Sequence, residues 1–338
     1  MMNLPKLREA FAGDFLIGAA VNVRTIESQQ KLLADQYNSI TAENEMKFEL
    51  VHPDEDRYTF EQADRIAAFA REHGMKLRGH TLVWHNQTPN WVFEQGDGAA
   101  DHDTLLARMR GHIQTVVGRY KSDVYCWDVV NEVIADEGPE LLRSSKWLEI
   151  TGESFIAKAF EYAHEADPNA LLFYNDYNET NPAKREKIFK LVQSLLAQGT
   201  PIHGIGLQGH WNLYGPPIDE IREAFERYAS LGLKLQITEL DLSMFAFDDR
   251  RTDLTAPTAE MLELQAERYE EIFRLFREYR DVLTSVTFWG AADDYTWLDY
   301  FPVRERKNWP MLFDANHQPK EAYWRVLRAA GAEGEVRP

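Results

Sequence analysis

Short apolar runs rich in Val, Ile and aromatic residues alternate along the chain with longer segments of helical period, the pattern of repeated βα units around a parallel sheet. Eight runs of each kind can be counted. The strands are predicted at 15 to 21 (FLIGAAV), 39 to 46, 76 to 84, 124 to 132, 170 to 178, 202 to 211, 234 to 243 and 283 to 290. Between them lie amphipathic helices. In the segment from 183 to 198, Ile188, Leu191, Val192, Leu195 and Leu196 recur at helical spacing and Gly199 follows as a stop. The stretch from 319 to 331, opening near Pro319, supplies the eighth helix. A closed barrel uses all these strands without an exposed edge. The predicted fold class is therefore α/β, a single (β/α)8 TIM barrel. A doubly wound sheet is the rival, but its Gly-rich phosphate loop is missing: the first strand runs into VNVRTIES.

No Gly/Ser-rich linker, repeat or low-complexity tract interrupts the 338 residues, so one domain is expected over 1–338, with a core from about 12 to 331 and a frayed tail beyond. With 44% hydrophobic and 27% charged residues, a large core is feasible. A net charge of −18 repels phosphate backbones and anionic lipid, so neither nucleic acid nor a membrane is expected as a partner; a neutral sugar polymer is indifferent to it. The lone Cys126 excludes an intrachain disulfide and a Cys-based zinc site and reads as a core thiol. No metal or cofactor is expected. The N-terminus lacks a signal-peptide pattern and no window approaches a membrane span, which predicts a cytoplasmic protein. Oligomeric state is left open.

In an α/β barrel the active site forms at the C-terminal ends of the strands. Here those exits are crowded with polar and aromatic residues: TAENEMK, RGHTLVWHNQTP, WDVVNE, YNDYN, GLQGHW, ITELD and TFWGAADDYTW. Most of the 55 acidic residues must be surface charges, but Glu132 and Glu239 each follow an apolar β run directly, where a solvated glutamate has little reason to be. Strand spacing of ~4.8 Å and a tilt of ~36° give a barrel radius near ~8 Å and place strands four and seven ~14 Å apart across the mouth. With each Glu reaching inward ~4 Å, the carboxyls come within ~6 Å, in the range for paired-carboxylate glycoside hydrolysis, where ~5 to 5.5 Å accompanies retention and ~6.5 Å or more inversion. An error of ~2 Å in this geometry spans both outcomes. Asn131 adjoins one carboxylate, and His210 and Asp241 lie near the other, so the two can be held in opposite protonation states.

At these residues the chain resembles glycoside hydrolase family 10, a barrel family dominated by endo-1,4-β-xylanases. The resemblance runs from about residue 15 to 328 and is carried by WDVVNE (127 to 132), GLKLQITELDL (232 to 242), ITAENEMK (40 to 47), GHTLVWHNQTP (79 to 89) and FWGAADDYTWL (288 to 298), in order. It implies a retaining mechanism in which Glu132 is the acid/base and Glu239 the nucleophile. It further implies that Asn131 bonds the 2-hydroxyl of the sugar being cleaved, that His210 contacts the nucleophile and that Asp241 orients that imidazole. Glu43, Asn44, Lys47, His80, Trp84, Gln87 and Gln208 would bind hydroxyls in the two sites before the scissile bond. Trp289 and Trp297 resemble aromatic walls over those sites, and Tyr177 an aglycone contact. Trp297 and Gln87 would also crowd a hexose hydroxymethyl, favouring xylose by clash. The strand-six motif departs only in reading QGH, with Gly209 between Gln208 and His210. The implied substrate is xylan or xylo-oligosaccharide, and the missing leader points to the intracellular branch of the family.

Blander readings stand beside these. Trp127, Trp147, Trp309 and Trp324 read as core. His80 and His85 are five apart on a strand, so they face opposite ways and do not pair as metal ligands. Asp128 reads as a supporting residue linked to a histidine such as His80, and Lys47 could form an ion pair with Glu43 or Glu45 instead of contacting sugar. Two other functions remain open at this point: a related barrel glycosidase acting on β-glucans or aryl-xylosides, and a carbohydrate-binding barrel that has lost catalysis.

Overall fold

The computed structural model describes residues 4–331; the tail expected beyond residue 331 lies outside them. Eight strands build the barrel: β1 Leu16–Val21, β2 Ser39–Ala42, β3 Lys76–Trp84, β4 Val124–Asn131, β5 Leu171–Asp176, β6 Gly204–Leu207, β7 Lys234–Ser243 and β8 Leu283–Phe288. Each pairs in parallel with the next, and β8 closes the ring on β1. Ring closure satisfies both sides of every strand, which a parallel sheet buried on both faces requires.

Helices cover the outside after every strand. The one after β1 is broken at Gln29 into Thr25–Ser28 and Gln30–Gln36. The others are Glu61–Glu72, His102–Tyr120, Ser154–Ala166, Pro182–Ala197, Ile218–Ala229, Ala259–Glu278 and Glu321–Ala329. Their starts are chemically marked. The Asp101 carboxylate accepts from Thr104 N at 2.8 Å, and Asn181 caps a helix whose first residue is Pro182, one position before the predicted start. Each such cap contributes about 1 kcal/mol.

Several strands fall one to three residues short of the predicted bounds, as at Leu171–Asp176 and Leu283–Phe288, and two fall further short for one reason. β2 ends at Ala42, and residues 43 to 46, expected within it, rise above the rim as loop. The run predicted from 202 to 211 stops at Leu207; Gly209, at φ 76°, turns the chain, and His210–Asn212 rejoins by pairing with β7 through Asp241↔His210. Polar side chains that must project over the mouth cannot also keep the inward and outward alternation of a strand.

The core lies mainly between barrel and helices. Trp127 packs there, so close to β3 that a Cβ on Gly79 would lie 2.2 Å from its ring. Trp147 is buried too, and Trp309 and Trp324 pack against the same cluster. The core begins earlier than residue 12: Leu7 and Phe11 are fully buried, Leu7 N bonds Gln36 Oε1 at 3.0 Å, and Phe11 stacks on Phe15 at 5.2 Å. Among the described residues no helix is long and apolar enough to cross a membrane.

Candidate active site

The strand exits converge on one cleft of about 920 Å³ at the C-terminal mouth of the barrel. Glu132, Glu239, the eleven residues named above as sugar contacts, His210 and Asp241 all line it. Asp128 does not: it is fully buried beneath the cleft, where its Oδ2 lies 2.7 Å from His80 Nδ1 and its Oδ1 pairs with the Arg78 guanidinium. His85 turns away from His80, against the edge of Trp84. Among the described residues no group of three or more His, Cys, Asp or Glu side chains is arranged to hold a metal ion.

Glu132 follows the last residue of β4 and is held at φ 58°, a left-handed conformation that costs a side-chain-bearing residue about 1–3 kcal/mol. Two hydrogen bonds pin it there: Glu132 N donates to Asn175 O at 2.9 Å, and Arg143 Nε donates to Glu132 O at 3.0 Å. This turn re-aims the carboxylate over the mouth. Its Oε1 accepts from Gln208 Nε2 at 2.9 Å and Asn131 Nδ2 at 3.2 Å, and its Oε2 from Trp84 Nε1 at 2.8 Å. Burial raises its proton affinity above that of an ordinary glutamate, and the Asp176 and Glu239 charges add to the rise; the Gln208 and Trp84 donors only partly offset it.

Glu239 lies inside β7. Its Oε1 accepts from Asn175 Nδ2 at 2.9 Å, and its Oε2 lies 3.0 Å from His210 Nε2. Burial alone would raise this carboxyl too. The His210 hydrogen bond and the fields of His80, His210 and Arg78 outweigh burial and bring it down to about 2. His210 Nδ1 in turn sits 3.0 Å from Asp241 Oδ2, which also accepts from Trp297 Nε1 at 2.8 Å. Burial works against the imidazolium, but the two flanking carboxylates prevail and push it up to about 10. The ring then donates from both nitrogens.

Around this pair the remaining residues form a polar and aromatic wall. Lys47 Nζ donates to Asn44 Oδ1 and Gln87 Oε1, both at 3.0 Å, and stands 4.9 Å from the Trp84 ring centre. Its ammonium is therefore held by two amides and an indole face, with Glu43 and Glu45 acting on it only through their fields. Glu43 Oε2 accepts from Asn22 Nδ2 at 3.1 Å. Trp289 stands edge-on to both His80 and His210, at 5.4 and 6.2 Å.

Two residues of the site escaped the sequence reading. Asn175 links the carboxylates, because its amide donates to Asn131 Oδ1 at 2.9 Å as well as to Glu239. Room for it is made by Gly206, where a Cβ would lie 2.3 Å from Asn175 Oδ1. Arg78 is a fully buried cation inside the barrel, bonded to Gln236 Oε1 at 3.2 Å and paired with Asp128. Both were within reach of strand alternation: Asn175 shares a face with Tyr177, and Arg78 with His80.

A closed parallel barrel with two buried carboxyls of opposed proton affinity at one mouth, set in a long aromatic cleft, defines a glycoside hydrolase of the paired-carboxylate class. Comparison with known proteins gives the family. The model of glycosyl hydrolase family 10 matches residues 6–329, and the chain belongs to that family. It is 64% identical over 327 residues to the endo-1,4-beta-xylanase of Geobacillus stearothermophilus, covering 96% of this chain and 98% of that protein. Endo-1,4-beta-xylanase B of Paenibacillus barcinonensis is 61% identical over 325 residues, again covering 96% and 98% of the two chains. The crystal structure of xylanase XynB from Paenibacillus barcinonensis complexed with a conduramine derivative superposes with a TM-score of 0.95 at 60% identity, covering 97% of this chain and 99% of that one.

Proposed function

We propose that the protein is a retaining endo-1,4-β-xylanase that cleaves internal linkages of xylan and xylo-oligosaccharides. The observation that carries the assignment of roles is the opposed protonation of Glu132 and Glu239, in a chain with high identity to xylanases along nearly its whole length. Glu239, ionised, attacks the anomeric carbon while the proton of Glu132 passes to the departing glycosidic oxygen. The products of this half are a free sugar end and a glycosyl ester on Glu239. Water then attacks the same carbon, Glu132 takes its proton, and the ester bond breaks; two inversions give net retention. Asn131 is suited to the 2-hydroxyl of the reacting sugar, and Glu43, Asn44, Lys47, Gln87, His80 and Gln208 to hydroxyls on the glycone side. The walls at Trp84, Trp289 and Trp297 offer flat faces to the apolar C–H faces of the sugar.

Proton NMR of xylohexaose digestion tests this directly. The first-formed reducing ends should be β anomers, and a Glu239→Ala variant should still bind xylohexaose in a calorimeter while turnover disappears. α-Anomers would refute retention, and continued turnover by the variant would remove Glu239 as nucleophile. Cello-oligosaccharides cut faster than xylo-oligosaccharides would move the substrate assignment to glucans.

A further inference from the structure

Large hydrophobic side chains are seldom left bare in clusters unless something covers them. Phe247 is 64% exposed and Phe301 45% exposed, and the two rings pair at 6.0 Å. Phe301 also stacks on Trp297 at 5.1 Å, its plane 15° from parallel. Trp297, Phe301 and Phe247 thus form a stepped row of aromatic faces that starts inside the cleft and leads out of it; all three line it.

The loops that carry this row are tied to one another. Arg306, itself buried, lies 4.1 Å from the Phe245 ring centre and donates to Asp249 O at 2.6 Å, tying the loop after β8 to the loop after β7. Asn308 repeats the tie, donating to Ser243 Oγ and accepting from Met244 N, both at 3.0 Å. Arg250 Nη1 donates to Phe247 O at 2.6 Å. Aromatic rings fixed in place before binding lose little side-chain freedom on contact, which suits them to stacking.

The ring order of the strands gives the row a direction. The loop after β7, which carries Phe247, lies four strands round the barrel from β3, the strand that leads to Gln87. Lys47 and Gln87 belong to the glycone side in the reading proposed above. Trp297, on the glycone side in that reading, is only the inner end of the row; its outer end, Phe247, lies across the barrel from Gln87, so the row leads out on the leaving-group side. We infer that Phe247, with Phe301, forms a distal aglycone subsite that stacks a xylosyl residue of a long substrate beyond those in contact with the catalytic pair. The inference rests on the proposed xylanase function and adds a reason for the enzyme to prefer longer chains.

The test compares two substrates in the wild type and in a Phe247→Ala variant, with Phe301 left intact because it supports Trp297. An aryl β-xylobioside fills the glycone side and, with its aryl group, only the first leaving-group position; xylohexaose reaches the row. The variant should lose about fivefold in kcat/KM on xylohexaose, the worth of one stacked ring, and nothing on the aryl substrate. Phe247→Tyr should restore the loss. Unchanged hydrolysis of xylohexaose by Phe247→Ala would overturn the subsite, and an equal loss on both substrates would show that the ring merely supports the catalytic cleft. Sedimentation as a dimer that the substitution dissociates would assign the patch to a second copy of the chain and overturn the inference. A wild type that leaves xylohexaose intact would instead sink the xylanase reading itself, whatever the variant does.

Discussion

Deleting one amide, Asn175→Ala, tests how the nucleophile is kept ionised. The side chain donates to Glu239 Oε1 and to Asn131 Oδ1, both at 2.9 Å and both buried. The first is a charge-assisted hydrogen bond of roughly 1.5–3 kcal/mol, and at about 1.4 kcal/mol per pKa unit its loss should raise Glu239 by roughly 1–2 units from its depressed value. The sign follows from the charge: the donor stabilises the carboxylate, so removing it favours the protonated form. Because Glu239 is depressed from 4.5 to about 2, it contributes stability above the unfolded value that is lost as pH falls toward the folded one. The variant keeps less of that stability and loses it at higher pH. The assay is the acid limb of kcat/KM on an aryl β-xylobioside, which reports the free enzyme's nucleophile and should move upward by that same amount. Asn175→Asp fills the same space but turns a second carboxylate toward Glu239, so its limb should move further in the same direction. Gly206→Ala should move the limb the same way with the amide still present but pushed aside, because its Cβ would meet Asn175 Oδ1 at 2.3 Å and Thr238 Cγ2 at 2.8 Å. If the limb stays where it is in both Asn175 variants while the fold is intact, the amide is not what stabilises the anion and the reasoning fails.

Two other outcomes are expected. Glu132→Gln should lower kcat on xylan by about 10²–10⁴, the usual worth of a general acid, yet an aryl β-xylobioside with a good leaving group should still give a burst of phenol equal to the enzyme; full turnover of xylan would exclude Glu132 as the acid. His112 is fully buried, stacked on Phe48 at 3.5 Å, and burial next to His52 holds it well below the ordinary 6.5. Below that unfolded value the unfolded chain binds a proton that the native one refuses, so stability should fall as pH drops under 6.5. Replacing it, His112→Leu, should flatten the decline of Tm between about pH 7 and 5; an unchanged slope would assign the acid sensitivity elsewhere.

The barrel was legible in the chain because most strands carry apolar residues on both faces, as LIGAAV in β1 and VYCWDVVN in β4 do, which a sheet buried on both faces needs. The paired glutamates were legible for a related reason, since Glu132 and Glu239 interrupt such runs where a charge has no solvent. Legibility failed where alternation stops. Residues 43 to 46 and 208 to 209 read as strand from composition, but Ala42 and Leu207 are the last residues with barrel partners, and the conformation of Gly209 turns the chain in a way no periodicity announces. Arg78 was hidden for the opposite reason. A charge in mid-strand is ordinarily surface; only the face it shares with His80 hinted otherwise, and the buried Asp128 on the next strand is what holds it inside. Phe247 and Phe301 lie in long loops after β7 and β8, where sequence pattern carries no information about what a side chain meets.

The division of labour between the two glutamates follows from what each can reach. Both are buried, and burial by itself would protonate both. Every donor to Glu132 is neutral: a glutamine, an asparagine and an indole. Neutral donors soften the cost of a buried charge but do not cancel it, and the anions Asp176 and Glu239 add to that cost. Glu239 instead faces His210, with His80 and Arg78 beneath it, and each of those groups is fixed by its own carboxylate, Asp241 or Asp128. Those outer carboxylates keep the three groups in place without touching the nucleophile, so the field falls on one side of the cleft only. An enzyme that must give a proton from one carboxyl and an electron pair from the other needs this asymmetry before substrate arrives. Interchanging the two roles would require moving His210 and the Arg78–Asp128–His80 chain across the barrel, which no rotamer change can do.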